Sequence, residues 1–131
     1  MAKSHRQVQS ALKAYGLAFP GAHSKSPWPE HDDIAVKDKT VAFMSVAGQP
    51  LSVTCKLPVT RLEVLQLPFA KPTGYGLGKS GWVTMKFDAD TKPPLDLLKR
   101  CMLESYRAVA PKKLVAQLEA EQPWTRTGQV G

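Results

Sequence analysis

The chain has 131 residues, 43% of them hydrophobic and 22% charged, which is typical of one globular domain with a single core. Its 18 lysines and arginines outnumber 11 acidic residues, and the net charge of +7 favours anionic partners. Two cysteines are too few for a disulfide framework, and no run approaches the ~18 apolar residues of a membrane span. We therefore expect a cytoplasmic domain over residues 1–121 with a tail over 122–131, and no membrane partner.

Helical patterns lie towards both ends of the chain. In residues 4–15, apolar side chains recur every three or four positions, with Ser4 as a candidate N-cap and Gly16 as a candidate stop. The polar face of this helix is expected to carry His5, Arg6, Gln9 and Lys13. Residues 93–110 carry the strongest helical pattern, and a second helix is predicted over 112–121 after a proline bend.

Strand patterns fill the region between these helices. Residues 33–37, 40–46 and 51–57 are rich in β-branched and aromatic side chains and are separated by short turns. Because short connections join neighbouring strands, we expect antiparallel pairing. Residues 58–67 predict a short helix with Leu62, Leu65 and also Val64 as candidates for the side turned towards the core.

A glycine-rich stretch over residues 74–81 leads directly into an alternating strand over 82–87. Gly78-Lys79-Ser80 resembles the end of a phosphate-binding P-loop, but Thr73 occupies the position of the first glycine. A P-loop also leads into a helix, whereas this stretch leads into a strand, so a nucleoside-triphosphatase site is not expected.

Alternation assigns a second set of side chains to the sheet face away from the core. That set is Thr54, Lys56, Trp82, Thr84 and Lys86. An aromatic ring among lysines suits stacking on bases and contact with phosphates, although a solvated or helix-covered sheet face is the alternative. Further cations follow in the second half of the chain, with Lys71 and Lys79 expected on a loop and the others on helices, and they are expected to extend one shared basic surface. The candidate nucleic-acid-binding residues are Lys56, Lys71, Lys79, Trp82, Lys86, Arg100, Arg107, Lys112 and Lys113.

The sequence predicts no catalytic residue, metal site or cofactor. The imidazoles and carboxylates that invite a metal interpretation are His23, Glu30, His31, Asp32 and Asp33. Their spacing matches no recognised metal site, and a polar turn explains them better. The two cysteines lie on apolar sides of their elements and are expected in the core. Because no nucleophile–base pair stands at a motif spacing, we expect a protein that is not an enzyme.

Several ordered landmarks resemble the MmcQ/YjbR family over residues 19–118. They are Phe19-Pro20-Gly21-Ala22, Trp28, Lys39-Thr40-Val41-Ala42-Phe43, Cys55-Lys56-Leu57-Pro58, Tyr75-Gly76-Leu77-Gly78-Lys79-Ser80-Gly81-Trp82-Val83, Glu104-Ser105-Tyr106-Arg107 and Pro111-Lys112-Lys113. The resemblance implies a single α+β domain with an antiparallel sheet, N- and C-terminal helices and a frataxin/CyaY-like layout. It also implies DNA binding, by likeness to a double-wing domain, and brings no catalytic residue.

These observations lead to one functional hypothesis and one alternative. The hypothesis is a small basic binding protein whose partner is nucleic acid, with DNA preferred, in which Lys56 and Lys79 contact phosphates and Trp82 contacts sugar or base. The alternative is a protein-interaction or small-ligand module that uses the Trp28 loop and the glycine-rich stretch, with no nucleic-acid role.

Overall fold

A computed structural model of the protein describes residues 5–25, 32–45, 50–74 and 80–121. In chain order the elements are α1 (His5–Leu17), β1 (Ala22–Lys25), β2 (Asp33–Val36), β3 (Lys39–Met44), β4 (Ser52–Lys56), α2 (Arg61–Val64), β5 (Ala70–Pro72), β6 (Trp82–Lys86), α3 (Leu95–Val109) and α4 (Lys112–Glu121). The four predicted strands are confirmed, and β1 and β5 are additional. No helix in the described ranges is long and apolar enough to cross a membrane.

The six strands form one sheet in the order β1-β2-β3-β4-β6-β5, and every neighbouring pair is antiparallel. The last strand in sequence, β6, therefore lies between β4 and β5, and the connection through α2 crosses over it. Helices at the N- and C-terminal ends complete a single α+β domain, as the sequence predicts.

Strand register separates the sheet into two faces. On one face, cross-strand pairs such as Val53–Met85 and Cys55–Val83 are fully buried in the core. The opposite face, which we call the outer face, is formed on β3 to β6 by the side chains that alternate with them. These are Phe43, Ser52, Thr54, Lys56, Lys71, Trp82, Thr84 and Lys86.

All four described helices belong to one layer on the core face. The buried stripe of α3 repeats at three- and four-residue spacing and consists of Leu98, Cys101, Met102, Ser105 and Tyr106. Gly16 lets α1 pack closely against α3 and β2, because a Cβ at this position would lie 2.8 Å from the Met102 sulfur and 3.1 Å from Ile34. The prediction that Gly16 stops the helix is therefore wrong, since α1 continues to Leu17 and uses the glycine for packing.

Ser105 joins β3 and β4 where their ladder ends. A register shift beside Ala35 places Val41 as the extra residue of β3, and direct pairing with β4 ends at Ala42–Cys55. Beyond that point the Lys56 N–H donates to Ser105 Oγ at 2.9 Å, and the Ser105 hydroxyl donates to the Val41 carbonyl at 2.5 Å. A side chain from α3 thus takes the place of one ladder hydrogen bond, and the two strands separate around it.

The residues beside Ser105 fasten other parts of the chain to α3. Glu104 accepts hydrogen bonds from the Val59 and Thr60 N–H groups at 2.7 and 3.0 Å and from the Thr60 hydroxyl at 2.7 Å. The Tyr106 hydroxyl donates to the Pro20 carbonyl at 2.7 Å. Residues 104–107, which form one landmark of the sequence, thus hold segments that carry other landmarks against α3.

Two predicted orientations are wrong. Leu62 is 70% exposed, whereas Val64, also a candidate for the inward side, is buried as expected. Helix α2 has only one turn, and Glu104 holds its start. The prediction assumes a longer helix over residues 58–67, and the repeat of that longer helix places Leu62 on the wrong side. Gln9, expected on the polar face of α1, is buried and donates to the Asp32 carboxylate at 3.1 Å.

Candidate nucleic-acid interface

The outer face brings four of the predicted binding residues together. Lys56 lies directly opposite Trp82 across β4 and β6, and Lys86 lies two strand repeats further along β6, beyond Thr84. Lys71, expected on a loop, lies on the edge strand β5 opposite Thr84. Lys79, the fifth member of the predicted group on this side, falls outside the described residues.

Two aromatic rings meet above β4 on this face. The centroids of Phe43 and Trp82 are 5.4 Å apart with an interplanar angle of 60°, an edge-to-face arrangement. Because their strands flank β4, with neighbouring strands ~4.8 Å apart, the rings lean towards each other over Thr54. Both rings remain partly exposed, whereas Thr54 is only 8% exposed.

The threonine hydroxyls of the outer face point at one another and not at solvent. The Thr84 hydroxyl lies 2.9 Å from that of Thr54 and 2.9 Å from that of Thr73. The expectation that Thr54 and Thr84 share the face of Lys56 and Trp82 is confirmed. Their hydroxyls are already paired, so the lysines and aromatic rings are the groups that this face offers to a ligand.

A cavity of about 330 Å³, which we call the end cleft, opens where β3 and β4 separate. Its lining residues are Lys39, Thr40, Phe43, Lys56, Trp82, Ala108 and Val109. Two lysines and two aromatic rings thus stand around a recess that reaches the C-terminal end of α3. Its volume is within the range of small-ligand sites, and none of its described lining residues is acidic.

The four remaining predicted cations lie in the helix layer. Arg100 and Arg107 are exposed on α3, about half a turn away from its buried stripe, so they face away from the sheet. Arg107 also pairs with Glu119 at 3.2 Å. Lys112 and Lys113 are exposed on α4, which packs on α3. These four cations therefore do not extend the outer face, contrary to the expectation of one shared basic surface.

The two cysteines and the two described histidines have structural roles. Burial raises the pKa of the Cys101 thiol to about 11 and that of the Cys55 thiol well above its ordinary value. The His5 ring accepts from the Leu51 N–H and donates to the Thr91 carbonyl, both at 2.8 Å. His23 donates to the Lys37 carbonyl at 2.7 Å.

No cluster of three potential metal ligands occurs within the described residues. Of the five residues that invited a metal interpretation, Glu30 and His31 fall outside them. The Asp32 carboxylate pairs with Lys13 at 2.9 Å, an ion pair that fixes α1 to the start of β2.

Phe43 and Lys39 are members of this interface that sequence reasoning did not select. Residues 40–46 are apolar on both alternating sides, so the pattern does not tell which side faces the core. A signal for Lys39 is its position beside the predicted tight turn, where a long cation reaches the end of the sheet.

Comparison with known proteins agrees with this architecture. A crystal structure of a Deinococcus radiodurans protein with a DUF419 domain matches with a TM-score of 0.65 and 25% identity, covering 86% of each chain. A crystal structure of a Pseudomonas syringae protein matches with a TM-score of 0.57 and 14% identity, covering 76% of this chain and 97% of the other, which shows the fold alone. No curated protein matches at a significant level. The YjbR family model matches residues 17–108, and the chain therefore belongs to the YjbR family.

Proposed function

We propose that the protein binds nucleic acid, preferably DNA, through the outer face, and that it acts by binding and not by catalysis. The observation that supports this proposal is the Phe43–Trp82 pair bordered by lysines on the sheet face opposite the helices. Exposed aromatic rings offer stacking surfaces to bases, and nearby ammonium groups offer contacts to phosphates.

The charge of the outer face fits a polyanion. Lys56, Lys71 and Lys86 lie on adjacent strands β4, β5 and β6, and the outward side chains of these strands include no carboxylate. Contact between lysines and phosphates releases counterions, which gives affinity without sequence preference. No described helix projects from this face to enter a groove, so the arrangement favours contact with the backbone and exposed bases over readout of base edges.

The described side chains also favour a binding role over catalysis. A nucleophilic cysteine requires a thiolate, and burial of Cys55 and Cys101 stabilises the neutral thiol. Both described histidines form hydrogen bonds with backbone groups. Within the described residues, neither histidine forms a hydrogen bond with a hydroxyl or a thiol.

A salt titration with a charge-matched control tests the proposal. Binding of labelled random-sequence DNA is measured by fluorescence anisotropy for the wild type, for Lys56→Gln/Lys86→Gln and for Lys112→Gln/Lys113→Gln. Neutralisation of about three or four phosphates lowers wild-type affinity ~40- to ~150-fold between ~50 and ~200 mM salt. The first double variant reduces the salt slope by about two, whereas the control loses the same charge from the helix layer and keeps its slope. Absence of salt-dependent binding at low ionic strength refutes the proposal.

A different observation favours the protein-interaction alternative. Val59 is 80% exposed and lines a groove of about 530 Å³ between the start of α2 and α3, and Arg100 also lines it. The matching occupant is a segment of a partner protein that carries an apolar side chain for the groove and a carboxylate for Arg100. Enrichment of such peptides from a displayed library by the wild type, but not by Val59→Lys, supports this candidate; equal enrichment by both excludes it.

A further inference from the structure

We propose that the nucleic acid bound by this protein is single-stranded and that the end cleft holds one unstacked nucleotide, an inference that rests on the proposed function. In this arrangement the base lies against the Phe43 and Trp82 rings, and its flanking phosphates contact Lys39 and Lys56.

The geometry of the end cleft suits a single base and not a stacked pair. The cavity of about 330 Å³ is a recess between separated strands, with Phe43 on the β3 side and Trp82 beyond β4. A planar base enters such a recess only when it is free of its own neighbours. In a duplex this requires unpairing and unstacking at a cost of a few kcal/mol, whereas in a single strand the base is already accessible.

Hydrogen bonding through Ser105 keeps the end cleft open. The Ser105 hydroxyl bridges the Lys56 N–H and the Val41 carbonyl, so β3 and β4 do not pair where the cleft begins. Ala108 and Val109, one turn further along α3, contribute to its lining. The separation of β3 and β4 at the recess is therefore held by a buried side chain of α3, and the surface side chains complete the lining.

The electrostatics of the cleft fit a phosphate on each side of the base. Lys39 lies at the start of β3 and Lys56 at the end of β4, so the two cations flank the recess from separate strands. The C-terminal end of α3 contributes roughly half of one negative charge, and the two full positive charges exceed it. The end cleft thus favours an anion that also carries a flat aromatic group, which is the chemistry of a nucleotide unit.

Parallel titrations of single-stranded and duplex DNA test this inference. Anisotropy is measured at one low salt concentration with an oligothymidine of about 12 nucleotides and with a mixed duplex of the same length, within site sizes seen for other sheet-based binders. The variants are Phe43→Leu, which keeps an apolar contact for Trp82 but removes a ring, and Lys39→Gln, with Lys113→Gln as a charge-matched control on the helix layer. Circular dichroism and urea unfolding establish that each variant is folded.

The expected result is that the single strand binds about tenfold or more tightly than the duplex, because only the duplex must expose a base. Phe43→Leu and Lys39→Gln each weaken single-strand binding about fivefold or more, while Lys113→Gln leaves it unchanged. Equal affinity for both forms, or single-strand binding that neither cleft variant weakens, overturns the end-cleft inference and leaves the proposed function standing. Absence of binding to either form at this low salt concentration overturns both.

Discussion

Replacement of Ser105 by alanine is expected to destabilise the domain far more than a surface serine change. The Ser105 side chain is fully buried, and its oxygen satisfies both the Lys56 N–H and the Val41 carbonyl. Each buried backbone group left without a partner costs about 1–3 kcal/mol. Alanine has the higher helix propensity and returns about 0.5 kcal/mol. The net loss is therefore about 1.5–5.5 kcal/mol, a large share of the ~5–15 kcal/mol typical of a domain.

Urea unfolding followed by circular dichroism measures this loss, and Ser10→Ala provides the matched control. Ser10 is exposed on α1, so its replacement changes helix propensity without stranding a buried group. With a urea m-value of about 2 kcal/mol/M, Ser105→Ala should lower the urea midpoint by ~1–3 M, while Ser10→Ala leaves it the same or slightly raised. If Ser105→Ala stays within about 0.5 kcal/mol of the control, the bridge between β3 and β4 is not a stabilising contact and the reasoning fails.

Two further substitutions and the Cys101 thiol have expected outcomes. Gly21→Ala should destabilise by about 1–3 kcal/mol, because Gly21 has a φ of +76° and a Cβ there would lie 2.8 Å from Leu114, whereas the unobstructed Gly74→Ala serves as a near-neutral control in the same urea assay. Tyr106→Phe should cost about 1–2 kcal/mol by removing the donor to the Pro20 carbonyl, and an unchanged midpoint would contradict that contact. Because the pKa of Cys101 is raised to about 11 in the folded protein, about one thiol in a thousand is ionised at pH ~8, and a disulfide reagent should react rapidly only after unfolding. The same shift means that stability is lost as pH rises from about 8.5, where an unfolded thiol ionises, towards 11, which unfolding at pH ~7 and ~10 can check.

The parts of the fold with a strong repeating pattern were predictable from the sequence. Alternation along β4 and β6 assigns Lys56 and Trp82 to the face away from the core, and strand pairing confirms it. The buried stripe of α3 is equally clear, because the 15 residues of this helix contain about four helical turns. Long regular elements carry enough repeats for one side to be identified.

Short elements and irregular strands were not predictable in the same way. β5 spans three residues and ends at Pro72, a residue that argues against a strand except at a sheet edge, where it is tolerated. The irregularity at Val41 shifts the alternation of β3, so Phe43 faces outwards although the sequence around it is apolar on both sides. The separation of Arg100 from the outer face follows from how α3 packs, which charge clustering along the sequence does not reveal.

The position of β6 in the sheet has a consequence for the order in which the domain can assemble during synthesis. When residues up to Pro72 have emerged from the ribosome, β4 and β5 have no strand between them, and each presents unpaired backbone groups along an edge. β6 emerges next and pairs with both, but Ser105, which links β3 to β4, follows only with α3. An N-terminal fragment that stops before α3 thus lacks a complete core, and we expect it to aggregate or be degraded instead of accumulating as a folded intermediate.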